Sequence, residues 1–199
     1  MKRITLVGNA GGGKSTLARR LGRALSMPVF ELDAAEWQPG WVRTPPEAVA
    51  RQHAQWLDEP TWIIEGWGSD ALMAARFETA DTIVVVDHAF AVHVAWVLKR
   101  YVSAKLGRSD NWPPTGCSPR LAIVIRLLWF MWRVDRDVVP ALLKTLQDEP
   151  FRSRVIHLRS PQQMHAWEQR VVRSHAVRGT GVGSADVAPD AATARRASS

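Results

Sequence analysis

Apolar residues along the chain fall into short runs separated by longer amphipathic segments. RITLVG (3–8) is β-branched and apolar, as in a strand buried on both faces. After a glycine-rich turn, residues 14–26 place Leu17, Leu21 and Leu25 four apart, on one helix face. The alternation then repeats. Further strands are predicted at 28–32 (PVFEL), 61–65 (TWIIE), 81–87 (DTIVVVD) and 154–159 (RVIHLR). Helices are predicted at 45–59, 69–78, about 89–105, about 119–147 with a break near Pro140, and 160–175. Pro45 and Pro46 suit a first helical turn, and Ser69 and Ser160 suit N-caps. Strands alternating with helices predict an α/β protein with a parallel sheet covered on both faces. Residues 107–119 (GRSDNWPPTGCSP) read as a loop, and from 178 to 199 small and polar residues predict a disordered tail.

Composition narrows the class. A chain of 199 residues holds one domain with a real core and is too short for two of ordinary size. The lone Cys117 excludes a disulfide framework and a four-cysteine zinc site, and the six histidines show no metal-like spacing. The apolar run at 4–7 is too short for a signal-peptide core. Residues 121–134 are interrupted by Arg126 and closed by Arg133, short of the roughly 20 residues that span a bilayer. A cytoplasmic chain with no membrane partner is expected. The net charge of +7 comes mostly from arginine, which suits bidentate contact with phosphate or carboxylate. A basic balance also fits nucleic acid, but no block of five basic residues and no DNA-reading motif accompanies it. Trp96, Trp129 and Trp132 fall at apolar helical spacing and read as core, whereas Trp37, Trp41 and Trp67 fall in loop-like segments.

The strongest chemical signal is Gly8-Asn9-Ala10-Gly11-Gly12-Gly13-Lys14-Ser15, which fits G-x-x-x-x-G-K-[ST] and lies between a predicted strand and a predicted helix. Glycines let successive backbone N–H groups turn inward without side chains in the way. Together with the free amides and dipole of the following helix, through Thr16, these make an anion pocket. Lys14 is then placed for the β and γ phosphates of ATP, and the Ser15 hydroxyl for Mg²⁺. A carboxylate partner should end a strand. Asp33, Glu65 and Asp87 all do, and the local pattern of Asp87 looks most like a Walker B acid. Capping is the competing role for all three, most of all for Asp87 before the helix near Ala89.

Read together, GNAGGGKSTLARRL, VFELDAAEWQPGWV and WIIEGWGSDALMAARFETADTIVVVD resemble the adenylate kinase-like P-loop NTPases. Within that family they are most similar to the DNA topology-modulation (FlaR-related) subgroup, over roughly residues 1–170. That subgroup shows L-D-x-x-x-W, W-I-[IV]-[DE]-G-N-Y and a lid-like G-x-R-x-[DN]-x-P-x-G-C-x-E-R. Here the corresponding segments carry Asp33 and Trp37, Glu65-Gly66-Trp67, and GRSDNWPPTGCSPR. The resemblance implies one kinase-like domain over 1–177 with a five-stranded sheet ordered 2-3-1-4-5. It also implies a helical lid between strands 4 and 5, near 106–136. On that basis Asp33 is expected as general base or acceptor-orienting group and Glu65 as a ligand of Mg²⁺ or water, with Asp87 a third choice. From the lid, Arg108, Arg120 and then Arg126 are expected to meet the transferred phosphoryl group. True adenylate kinases hold AMP with an arginine after strand 3. EGWGSD lacks it, and Arg51 or Arg76 would have to substitute.

The expected function is transfer of the γ-phosphoryl group of ATP to a nucleotide, nucleoside or other small hydroxyl acceptor. The alternative is an ATP-binding regulatory ATPase acting on DNA topology. Trp37 and Trp41 follow strand 2, where they read either as a stacking platform or as an apolar cluster pinning the loop.

Overall fold

The computed structural model describes residues 1–108 and 112–180. Its first unit is β1 (Arg3–Gly8), a glycine loop and α1 (Lys14–Leu25). β2 (Val29–Glu31) leads into a single helical turn, α2 (Leu32–Ala35), and a small antiparallel hairpin of β3 (Trp37–Gln38) and β4 (Val42–Arg43). Then follow α3 (Pro46–Asp58), β5 (Trp62–Glu65), α4 (Asp70–Thr79), β6 (Thr82–Val86) and α5 (Phe90–Lys105). α6 (Leu121–Arg133) passes through a π-helical turn (Val134–Val138) into α7 (Val139–Thr145), and β7 (Val155–Leu158) and α8 (Pro161–Thr180) complete the domain. Residues 181–199, most of the expected tail, lie outside the described residues, as do 109–111.

The large sheet is parallel, in the order β2-β5-β1-β6-β7. Counting only its own strands, this is 2-3-1-4-5, as expected. Alternate side chains of the strands go to opposite layers. Ile4, Leu6, Val84 and Val86 pack under Leu17 and Leu21 of α1 and Trp167 and Val171 of α8. Val7, Ile64, Ile83 and Val85 pack under Phe77 of α4 and Leu142 of α7. A third cluster, Val97, Val124 and Met131, joins α5 to α6 and rests on Ala10 of the glycine loop.

The caps follow the sequence. Leu72 N donates to Ser69 Oγ at 3.4 Å and Gln163 N to Ser160 Oγ at 3.2 Å. The break expected near Pro140 is a widened turn placed just before it. Proline lacks an N–H and its ring crowds the carbonyl four residues back, which a π turn relieves. Two expectations need correcting. The segment around Trp37 and Trp41 is a hairpin rather than a loop. Trp129 and Trp132 are 61% and 44% exposed, not core, because α6 turns Val124 and Met131 inward instead.

Leu21 is fully buried between the sheet and α8. Leu21→Ala is expected to cost about 2–5 kcal/mol, read as a lowered urea midpoint with unchanged slope.

Candidate active site

The site is built where β1, β5 and β2 end side by side. Register pairs Leu6 with Glu65 and Glu31 with Glu65, so the glycine loop, Glu65 and Asp33 leave adjacent strands at the same edge. The loop is compact because it has so few side chains. A Cβ on Gly8 (φ 134°) would stand 2.1 Å from the Val86 carbonyl oxygen, and one on Gly11 (φ 69°) 2.5 Å from that of His93. Only glycine allows both the backbone conformation and the approach. Among the described residues the amides from Gly11 to Thr16 find no acceptor, while that of Ala10 donates to Asn9 Oδ1 at 2.9 Å. Gly13 in the left-handed region caps α1 without a side chain, leaving the helix N-terminus open to an anion.

Lys14 is only 6% exposed, and its Nζ donates to Asn9 O at 2.8 Å. The ammonium is thus turned back over the loop. Asn9 Nδ2 donates to Met131 O of α6 at 2.8 Å, so the inner face of α6 closes over this edge. His93 Nδ1 lies 2.9 Å from Ala10 O, which requires the tautomer with hydrogen on Nδ1. Burial keeps His93 and its stacked neighbour His88 below the usual histidine range, and the loop rests on neutral imidazoles.

Ser15 Oγ donates to Glu65 Oε1 at 2.8 Å. Glu65 is 1% exposed, and its Oε2 is buried with no partner. Burial and the neighbouring charge of Asp33 raise its pKa to about 7, against the pull of Lys14 and Ser15. Among the described residues no three His, Cys, Asp or Glu side chains form a metal-binding group. A hydroxyl and one carboxylate with a free oxygen fit Mg²⁺, which takes one or two protein oxygens and completes its shell with phosphate and water.

Asp33 sits in the first turn of α2, exposed, with Oδ1 2.9 Å from where a Cβ on Gly66 would stand. Glu36, one turn on, is held above the usual carboxylate range by burial and by Asp33, against the pull of Arg43. Arg76 is fully buried beneath them. It donates to Gly66 O at 2.9 Å and to Trp67 O and Leu72 O, fixing the turn after β5. Desolvation brings its pKa down to about 10, so it stays charged. Arg76 is therefore committed to backbone carbonyls, and Arg51 stands exposed on α3.

The candidate arginines of the lid are placed differently. Arg108, Arg120 and Arg126 are exposed, and their side chains have no protein partner among the described residues. The structure does not bring them to the glycine loop. Among the arginines between the fourth and fifth strands of the large sheet, Arg100 of α5 is the one that feels the charge of the carboxylates. Burial lowers its pKa, the charges of Asp33 and Glu65 oppose that, and its guanidinium lies 5.2 Å from the Trp112 ring centre. Arg100 was not named in the sequence analysis. The missed signal was its position seven residues after His93 on a helix that packs on the glycine loop. Asp87 does not cap α5, whose N-cap is Ala89. It accepts from His157 Nε2 at 2.8 Å, on the β7 side of the sheet.

The hairpin closes the far side. Gly40 N donates to Gly116 O at 3.0 Å and Trp41 Nε1 to Ser118 O at 2.9 Å. Trp41 also meets Trp37 and Trp112 at centroid distances of 5.5 and 6.2 Å. These contacts are those of a cluster pinning the hairpin.

No protein-family model and no curated protein matches the chain. Solved structures of similar path include a gluconokinase from Sinorhizobium meliloti 1021, 15% identical over 91% of this chain and 95% of that one, with a TM-score of 0.49. A shikimate kinase from Bacteroides thetaiotaomicron is 16% identical over 87% and 97%, with a TM-score of 0.48. A shikimate kinase from Aquifex aeolicus vf5 is 15% identical over 92% and 99%, with a TM-score of 0.43. Likeness at this level assigns no family, and what the site can do is read from its own residues.

Glu65 gives a sign that can be measured. Its pKa is about 7 in the folded chain against an ordinary value of 4.5, so on raising the pH the unfolded chain loses this proton first. The contribution is fully present below the lower value and is lost as pH rises through the upper one. Glu65→Gln removes that loss. Relative to the parent, its unfolding free energy should climb from about pH 5 to about pH 8, read by urea unfolding across the series. A constant difference across that window would show a carboxyl that titrates normally.

Proposed function

We propose that this chain is an ATP-dependent kinase that moves the γ-phosphoryl group to a hydroxyl of a small acceptor. The observation that carries the reading is the Ser15–Glu65 contact beside an open glycine loop. An unpaired, buried carboxylate oxygen next to a loop hydroxyl is costly in a chain that binds nothing there. Beside Mg²⁺ and a polyphosphate the same atom is used.

In this reading the amides from Gly11 to Thr16 cradle the β-phosphate, and Lys14 leaves Asn9 O for the β and γ oxygens. Ser15 and Glu65 would hold Mg²⁺, and its charge would favour the ionised form of Glu65. The ion, when bound, neutralises phosphate charge. Asp33 accepts the proton of the acceptor hydroxyl as its oxygen bonds the γ phosphorus and the bond to the β-bridging oxygen breaks, releasing ADP. Arg100 balances the charge of Asp33 and Glu65. Residues 106–136 serve as the lid, and its closure carries Arg108, Arg120 and Arg126 inward. Arg76 cannot hold an acceptor phosphate, which favours acceptors recognised through hydroxyls over nucleoside monophosphates.

The test is ADP release by purified protein across sugars, polyol acids, nucleosides and nucleoside monophosphates. Stimulation by one class is expected. Lys14→Ala should abolish it, and Asp33→Asn should lower kcat by about 10²–10⁴ while leaving Mg²⁺-dependent ATP binding in place. No Mg²⁺-dependent uptake of ATP by calorimetry would end the reading.

A further inference from the structure

The helices that cover the glycine loop have a second face. On α5, Leu98, Val102 and Leu106 recur every four residues and are 43%, 54% and 60% exposed. On α6, Leu121, Ile125 and Trp129 do the same at 57%, 59% and 61%, joined by Phe130 and Trp132. Among the described residues, nine of the twelve exposed large apolar side chains lie between Leu98 and Val138. Single apolar residues on a surface need no explanation, but such a concentration on two helices packed together does.

The charge on the same helices is one-sided. Between Asp87 and Asp135 the described residues include no acid, while Lys99, Lys105, Arg108, Arg120, Arg126 and Arg133 are exposed bases. Cations and rings stand at the same level. The Arg133 guanidinium lies 5.2 Å from the Trp129 ring centre, the Arg136 guanidinium 4.2 Å from Trp132, and Lys105 Nζ 5.9 Å from Tyr101.

Both features together select among partners. A second copy meeting this face across a two-fold axis would set mostly basic side chains against basic side chains, and the nearest described exposed acid, Asp137, is already paired with Arg136. Nucleic acid would use the cations but leave Leu98, Ile125 and Leu121 in water. An anionic bilayer surface satisfies both. Apolar side chains enter the boundary between headgroups and acyl chains, tryptophans sit at that level, and each nearby cation adds about 1 kcal/mol. No helix among the described residues is long and apolar enough to cross a membrane, so such a contact lies on the surface.

We propose that the outer face of α5 and α6 docks on an anionic lipid surface. The full chain is tested by co-sedimentation with phosphatidylcholine vesicles, with and without phosphatidylglycerol, at low and high salt. Binding to the anionic vesicles that weakens with salt is expected, with little to phosphatidylcholine alone. Leu98→Glu with Ile125→Glu should weaken it about tenfold or more. Lys105→Glu with Arg133→Glu should do likewise, with the helical circular dichroism of each variant unchanged. Three outcomes overturn the proposal: no vesicle binding by the parent chain, binding indifferent to lipid charge, or a self-associated dimer that Ile125→Glu dissolves without any vesicle binding.

Discussion

The site depends on a close approach of backbones. Gly8 lies against the Val86 carbonyl and Gly11 against that of His93, at distances where a Cβ would stand 2.1 and 2.5 Å from oxygen. β6 and α5 are packed onto the loop as though its side chains had been removed. Because the contact is between main chains, no neighbouring rotamer can adjust to admit a larger residue. The loop is therefore held in shape by its surroundings, with its amides left for an anion.

The polar residues follow from that clamp. Once α5 lies on the loop, Arg100 comes within the field of Asp33 and Glu65. Arg76 beneath the turn after β5 is the other cation that feels both carboxylates. One positive charge is fixed in backbone carbonyls and the other stacks on a ring at the edge of the lid loop. Two acids at the ends of neighbouring strands repel each other, and burial adds to the cost at Glu65. In the proposed reading a cation held by Ser15 and Glu65 would relieve both, and the carboxylate that is costly without it would serve as its ligand.

Much of this was legible in the sequence. The parallel sheet follows from alternating β and α segments, and the strand order and the paired placement of Asp33 and Glu65 from the resemblance. The glycine motif located its own loop. What failed depends on three-dimensional direction. Trp129 and Trp132 have apolar spacing, yet α6 has apolar residues nearly all round, and periodicity cannot choose its inner face. The choice is made by Ala10 and Asn9, which receive Val124 and Met131. Arg100 is one of several cations between the fourth and fifth strands of the large sheet, and only the packing of α5 on the loop separates it from the rest. The hairpin is too short to carry a strand signal, since two residues per strand have no period. Its position comes from the lid loop, through Gly116 and Ser118.

In the proposed reading the two faces of α6 make opposite demands. Arg126 lies outward on α6 while Met131, on the same helix, accepts from Asn9. Carrying Arg126 to a phosphate requires α6 to roll or slide, and either motion breaks that bond and uncovers Val124 and Met131. A neutral buried hydrogen bond is worth about 0.5–1.5 kcal/mol net, and each uncovered apolar side chain about 1.5–3. Charge-assisted contacts from Lys14 and an arginine to a polyphosphate exceed the first of these. They offset the second only if the apolar surface finds new cover. A lipid surface against the outer face leaves the inner contacts as they are, so it favours the arrangement in which α6 stays seated on the loop.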